Sequence, residues 1–209
     1  MGTSPYLLTC DHASRRLPRW LGTLGLSESE LARHIAWDIG AAGLARALSE
    51  ELDASLVLQR YSRLAIDRNR RPGTPESIIA CSDGTVIPGN RELAAAEAER
   101  RVREIFQPYH DAIGALLDQR AQAGRTTVVA SLHSFTATMG GRARPWHVGV
   151  LYNRDARVGH RLLAELRRLP ELVVGDNEPY APATPPITPS SSTASAAACC
   201  TWSSRCGTW

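Results

Sequence analysis

Residues able to do chemistry collect at the ends of short apolar runs in this chain. Tyr6-Leu7-Leu8 leads into Thr9-Cys10-Asp11-His12-Ala13-Ser14, and the apolar residues 127–132 lead into His133. Asn69 and Arg70 follow a run ending at Asp67, and Asp176, Asn177 and Glu178 follow Leu172-Val173-Val174. One histidine at a strand end is most simply structural. Several polar clusters on one sheet edge point to a shared site, because independent structural histidines need not converge. His12 and His133 with one carboxylate would make a three-ligand zinc site that keeps a fourth position for water. Such a metal lowers the pKa of bound water and polarises a carbonyl, as amide hydrolysis requires. The candidate carboxylates are Asp11, Asp38 and Glu178. His34 and Asp38, four apart, would share a helix face, a spacing that equally suits a surface ion pair.

Arg63 and Arg70 stand on or beside apolar segments, where an unpaired charge is expensive. A structural salt bridge would explain them. A guanidinium fork also suits a substrate carboxylate better than an ammonium group does, and Asn69 beside Arg70 could complete a clamp on both oxygens. Other chemistries find less support. All 24 basic residues are arginine, which excludes a lysine Schiff base and a P-loop lysine. There is no G-x-S-x-G elbow and no G-x-G-x-x-G. Cys10 next to His12 is a possible thiol nucleophile, but adjacency in sequence is not the geometry of a Cys/His pair. Cys81 has no obvious base.

The elements that must hold these residues alternate between strand and helix. Strands are expected at residues 6–9, 55–59, 64–67, 127–132, 147–152 and 172–174. Ser27 with Glu30 forms a capping-box pattern. Leu31, Ile35, Ile39, Leu44, Leu48 and Leu52 then mark a helix of about six turns. A second helix spans 91–123, with Val102, Ile105, Phe106, Tyr109, Ile113 and Leu116 on one face and Pro108 dividing it. A third covers 157–168. The Gly- and Pro-rich stretch 71–90 is long enough for a binding loop. Alternation of this kind argues for a layered α/β domain, whose ligands bind beyond the carboxyl ends of the strands.

With 209 residues, 43% of them hydrophobic and 22% charged, the chain can bury a core as one soluble domain. No apolar run reaches the roughly 18 residues of a membrane span, and residues 1–11 lack the basic region of a signal peptide. A cytoplasmic protein with no membrane partner is the expectation. The net charge of +3 is spread over arginines interleaved with acids, and aromatics are only 6%. Neither a basic stripe nor a stacking platform for nucleic acid is visible.

Composition breaks after Tyr180. Residues 181–209 hold 6 Ser, 5 Thr, 6 Ala, 4 Pro, 3 Cys and 2 Trp, with Arg205 the only charge. One reading is a disordered Ser/Thr/Pro/Ala tail, although Cys and Trp are unusual in such tails. The other is translation out of frame. The missing lysines, whose codons are A-rich, point to a GC-rich gene of bacterial type. With GC-rich codons the segment from Pro185 to Arg205 can be reread one base away as T-D-Y-T-I-V-E-H-G-E-R-R-G-L-L-H-V-E-L-E-V-R.

The ordered motifs resemble the N-formylglutamate amidohydrolase (N-formylglutamate deformylase) family. They are Thr9-Cys10-Asp11-His12-Ala13-Ser14, His34-Ile35-Ala36-Trp37-Asp38-Ile39-Gly40-Ala41, Tyr61-Ser62-Arg63, Ile66-Asp67-Arg68-Asn69-Arg70, Ser82-Asp83-Gly84-Thr85, Ile87-Pro88-Gly89-Asn90, Ser131-Leu132-His133-Ser134-Phe135 and Asp176-Asn177-Glu178-Pro179-Tyr180. The resemblance implies a three-layer α/β/α sandwich with a mostly parallel mixed sheet, similar to zinc-dependent exopeptidases and other phosphorylase/hydrolase-like folds. It implies hydrolysis of N-formyl-L-glutamate, a small-molecule substrate, to formate and L-glutamate in histidine degradation. Zinc or another divalent metal would sit on His12, His133 and Asp38, the third ligand being the least determined. His12, His133 and Glu178 would be catalytic; Arg63, Asn69, Arg70 and Ser14 would bind substrate. Residues 1–180 would form the amidohydrolase domain. Two departures stand out. Arg15 replaces a small polar residue, and the closing strand of form H-V-E-x-E-x-R is absent from 181–209 but present in the reread frame. The domain is therefore expected to lack its C-terminal strand. Hydrolysis of another N-acyl amino acid, or a catalytically dead amino-acid-binding protein, are the alternatives.

Overall fold

A computed structural model describes residues 2–153 and 155–180 and the backbone of 194–203. A six-stranded sheet forms its centre, built from β1 (Tyr6–Cys10), β2 (Ser55–Leu58), β5 (Thr127–Phe135), β8 (Val148–Leu151), β9 (Val174–Asp176) and β10 (Ala194–Ser203). Their spatial order is β2-β1-β5-β10-β8-β9, all neighbours running parallel except the antiparallel β10–β8 pair. Two small hairpins, β3 (Cys81–Ser82) with β4 (Thr85–Val86) and β6 (Thr138–Met139) with β7 (Arg142–Ala143), lie outside it.

Side-chain alternation along the strands assigns the layers. Leu8 and Cys10 of β1 pack with Ala41 and Ala45 of α2 (Ala41–Glu51). The intervening Leu7 packs with Tyr109, Ile113 and Leu117 of α4 (Gln107–Gln122), joined by Val129 of β5. Helices thus cover both faces, giving the three-layer α/β/α sandwich. The same alternation places Ser131, His133 and Phe135 on the α4 side of β5 and Leu132 on the α2 side. Helix α5 (Arg157–Leu166) packs by β8 and β9.

Several expected elements take another form. The helix expected from 28 to 52 is broken into α1 (Glu28–Leu31) and α2. The capping box at Ser27 and Glu30 is present, but Gly40 is left-handed at φ 84° and Asp38 donates its N–H to the carbonyl of His12 (3.0 Å). The carbonyl of Ala36 serves Arg63 and Ser62, so this backbone is spent on neighbouring loops. Residues 64–67 form turns rather than a strand, held by the buried Arg68. The helix expected at 91–123 is α3 (Ala95–Arg101), a π-turn at Val102–Phe106, then α4 with Pro108 in its first turn, where its missing N–H is harmless. The last strand is displaced to Val174–Asp176. The tail, expected to supply no strand, supplies β10 between β5 and β8, with Thr201 opposite His133. Its Ala, Ser, Thr, Cys and Trp residues lack the alternation from which a strand could be read. Residues 181–193 and 204–209 lie outside the described residues.

A second apolar cluster under the long loops joins Leu24, Leu26, Leu31, Ala36, Leu64 and Ile87. Two buried arginines fix those loops. Arg101 bonds Asn90 Oδ1 (2.6 Å) and the carbonyls of Ala65 and Gly89. Arg68, 1% exposed, donates to the carbonyls of Ser62 (2.9 Å), Ile66 (2.5 Å), Asp11 (2.9 Å) and Tyr61. Burial pulls its guanidinium down to about 10. Removing it strands several buried acceptors, each costing about 1–3 kcal/mol. Arg68→Ala is therefore expected to lower unfolding stability by about 3 kcal/mol or more, read as a fall in the urea midpoint.

Candidate metal centre

β1 and β5 are neighbours, so the residues leaving their carboxyl ends meet. His12 follows β1, His133 lies within β5, and the break before α2 swings Asp38 between them. Nδ1 of His133 is 2.8 Å and Nδ1 of His12 3.3 Å from the same Asp38 Oδ2. One donor atom from each of the three residues falls within 4.8 Å of the others, and all three are buried. The imidazoles meet edge to face at 5.0 Å.

The far nitrogens are engaged as well. His12 Nε2 is 2.8 Å from Asp67 Oδ1, and Arg63 Nε and Nη2 donate to Asp67 Oδ2 at 3.1 and 2.6 Å. Arg63 Nη1 is also 3.6 Å from Asp38 Oδ1. His133 Nε2 lies 3.1 Å from Ser131 Oγ and 3.5 Å from Asp11 Oδ2, while Tyr109 donates its hydroxyl to Asp11 Oδ1 (2.6 Å). Metal-binding histidines ordinarily carry such outer partners, which fix tautomer and ring orientation.

Burial alone would raise Asp11, Asp38 and Asp67. The imidazoles beside all three, and Arg63 beside Asp67, instead hold them below the usual carboxylate range. Burial and Asp11 push the Tyr109 phenol well up, so it stays a donor. Two imidazoles and a carboxylate in a dry, negatively biased site are the donor chemistry of a catalytic zinc centre. The residues fit a divalent metal.

Of the other expected residues, Asn69 and Arg70 are exposed, and their backbone N–H groups turn back onto Asp67. Ser14 Oγ accepts from the Arg16 N–H (3.1 Å). Glu178 is exposed and has no hydrogen bond or ion pair among the described residues, so no contact joins it to the histidines. His34 does not pair with Asp38, because no helix carries both; it faces Asp83 at 3.5 Å. Asp67 and Tyr109 went unmarked as site residues. Asp67 sits within a motif that carries the family resemblance, whereas Tyr109 shows only helical core spacing.

Cys10 packs on the α2 side of the core, and burial, with Asp11 and Asp38, pushes its thiol up to about 12, although His133 and the His12 backbone lie near enough to favour a thiolate. In the native chain Cys10 is expected to resist iodoacetamide at pH 8 while the exposed Cys81 reacts, as peptide mapping will read. Labelling of Cys10 at the rate of Cys81 would restore it as a nucleophile candidate.

A family model described as N-formylglutamate amidohydrolase matches residues 4–194. Among solved structures, the gene product Atu2144 from Agrobacterium tumefaciens is similar with a TM-score of 0.88 and 36% identity, over 97% of this chain and 81% of that one. The N-formylglutamate amidohydrolase from Ralstonia eutropha JMP134 shares the fold at a TM-score of 0.71 and 19% identity, over 97% and 82% of the two chains. No curated protein matches the chain. With the matched region running through the strands and loops that assemble His12, Asp38 and His133, the chain belongs to the N-formylglutamate amidohydrolase family.

Proposed function

We propose that this chain is a metal-dependent amidohydrolase that cleaves N-formyl-L-glutamate to formate and L-glutamate. The buried His12–Asp38–His133 group, in a chain of this family, carries the reading. These three residues would hold the metal, zinc being the first choice for two imidazoles and a carboxylate. When bound, the metal supplies an activated water and a polarised formyl carbonyl.

The remaining work falls to the chain's own groups. Asp67, clamped by Arg63, keeps His12 Nδ1 turned toward Asp38; Asp11, with Tyr109 and Ser131, does the same for His133. Tyr109 and α4 close the side of the site beneath β5. The side chains of Asn69 and Arg70 are exposed and unpaired among the described residues, and so are available to a substrate carboxylate; Ser14 is the remaining candidate substrate contact. Arg63 is spent on Asp67 and Asp38, which favours a role in orienting ligands over one in binding substrate. Glu178 is our candidate for carrying the proton to the leaving amine. No helix among the described residues is long and apolar enough to cross a membrane. Comparing formate, acetate and succinate release from the corresponding N-acyl-L-glutamates tests the acyl choice. Formate is expected to dominate, and faster release of another acid would move the substrate within the class.

A further inference from the structure

Among the described residues, every buried arginine but Arg144 gives guanidinium N–H groups to oxygen, although Arg68 Nε is left without a partner. Arg68 and Arg101 bind backbone carbonyls, and Arg120 binds Thr127 Oγ1 and the Ser4 carbonyl. Arg144 is only 9% exposed, yet among the described residues its Nη1 is buried without a hydrogen-bond partner and its Nη2 meets only the sulfur of Met139 (2.7 Å). No carboxylate pairs with it among the described residues. A thioether is a weak acceptor, and a buried cation without an anion is costly.

Its position ties that unfilled capacity to the metal centre. Arg144 follows the β6–β7 hairpin that leaves the carboxyl end of β5, and its guanidinium lies 5.9 Å from the Phe135 ring and 4.7 Å from the Tyr180 ring. Phe135 shares its face of β5 with His133, about 7 Å along the strand. Tyr180 lies near Arg63, helping to hold it charged, and Arg63 touches Asp38. Stacked rings occupy the faces of a guanidinium and leave its in-plane N–H donors for a carboxylate. Nη1 is buried and Tyr180, 44% exposed, stands beside the guanidinium, so a ligand would reach Nη1 by moving the Tyr180 ring aside.

We propose that Arg144 binds the side-chain carboxylate of the N-acyl amino acid and sets a preference for an acidic residue. This rests on the amidohydrolase reading above and extends it. A substrate with two carboxylates needs two anion sites, and Arg144 supplies a second beside the Asn69–Arg70 pair.

The test compares N-formyl-L-glutamate with the neutral N-formyl-L-glutamine in wild type, Arg144→Met and Arg144→Lys. Arg144→Met is expected to lower kcat/KM for the glutamate substrate about 10²-fold, mostly through KM, and to change the glutamine substrate less than about 3-fold. Arg144→Lys should recover part of the loss. Equal losses on both substrates together with a lowered Tm would make Arg144 a structural anchor and overturn the proposal. So would an unchanged preference. Calorimetric binding of glutarate gives a readout without turnover: wild type should bind at least about 10-fold tighter than Arg144→Met. Glutarate binding through Arg144 without formate release would uphold this site while removing the proposed reaction. Formate release with indifferent Arg144→Met would do the reverse. Wild type that fails to bind glutarate and does not distinguish the two substrates overturns the proposal.

Discussion

His133→Ala is expected to lose zinc by at least about 10²-fold in affinity, and formate release should fall to the level of the metal-stripped chain. Loss of one outer partner of a metal ligand typically costs 10–100-fold, and His133 is proposed as a ligand itself. Its Nδ1 sits 2.8 Å from Asp38 Oδ2, within the buried group formed with His12 and Asp38. The substitution also removes one imidazole from beside Asp11 and Asp38, leaving His12 near both and Arg63 near Asp38, so a far-UV spectrum must accompany the binding measurement. Asp67→Asn separates folding from metal binding. It keeps the shape of the partner of His12 Nε2 but weakens its grip on the ring, and should cost 10–100-fold in zinc affinity. Zinc binding by His133→Ala at wild-type affinity would mean that the metal, if any, sits elsewhere.

The second large effect concerns the end of the chain. The backbone of β10 runs beside β5, with residues 201–203 opposite residues 133–135, so the last strand finishes at the site. The family resemblance expects a glutamate-bearing strand there, and residues 194–203 contain no acid. A positioned general acid–base is worth roughly 10²–10⁴ in rate. Replacing the end of the chain from residue 185 onward with the reread peptide, which carries H-V-E-L-E-V-R, is therefore expected to raise kcat by that factor. An unchanged rate would mean that Glu178 or another group already moves the proton, and that the strand's carboxylate is unused. Sequencing the gene across codons 180–209 reads the origin of the tail directly: the frameshift requires an open neighbouring frame.

Much of the architecture is legible in the sequence because burial imposes strong patterns. The continuous apolar run at 127–132, the capping box at Ser27 and the alternation of strand and helix each correspond to an observed element. The two histidines stand out for a related reason, since each ends an apolar run. What could not be read is set by distant contacts. The helix break at 32–40 arises because its backbone bonds to the His12 and Ser62–Arg63 loops, and helical periodicity in Ile35 and Ile39 conceals it. That break carries Asp38 into the site, so the i,i+4 pairing with His34 disappears while the carboxylate's proposed metal role gains support. Asp67 and Tyr109 act through partners 55 and 98 residues away, and no local pattern marks them. Arg144 was invisible for the same reason, being one arginine among many until its burial and missing oxygen partner set it apart.

The central claim is a metal-dependent amidohydrolase centred on His12, Asp38 and His133, and formate release from N-formyl-L-glutamate tests it most directly. The purified chain is stripped with a chelator, dialysed, and reloaded with zinc. The account predicts no formate from the stripped chain, release restored by one equivalent of zinc, and none from His133→Ala under the same loading. Stoichiometric zinc on the folded wild type with no formate released, or release that the chelator leaves untouched, would contradict it.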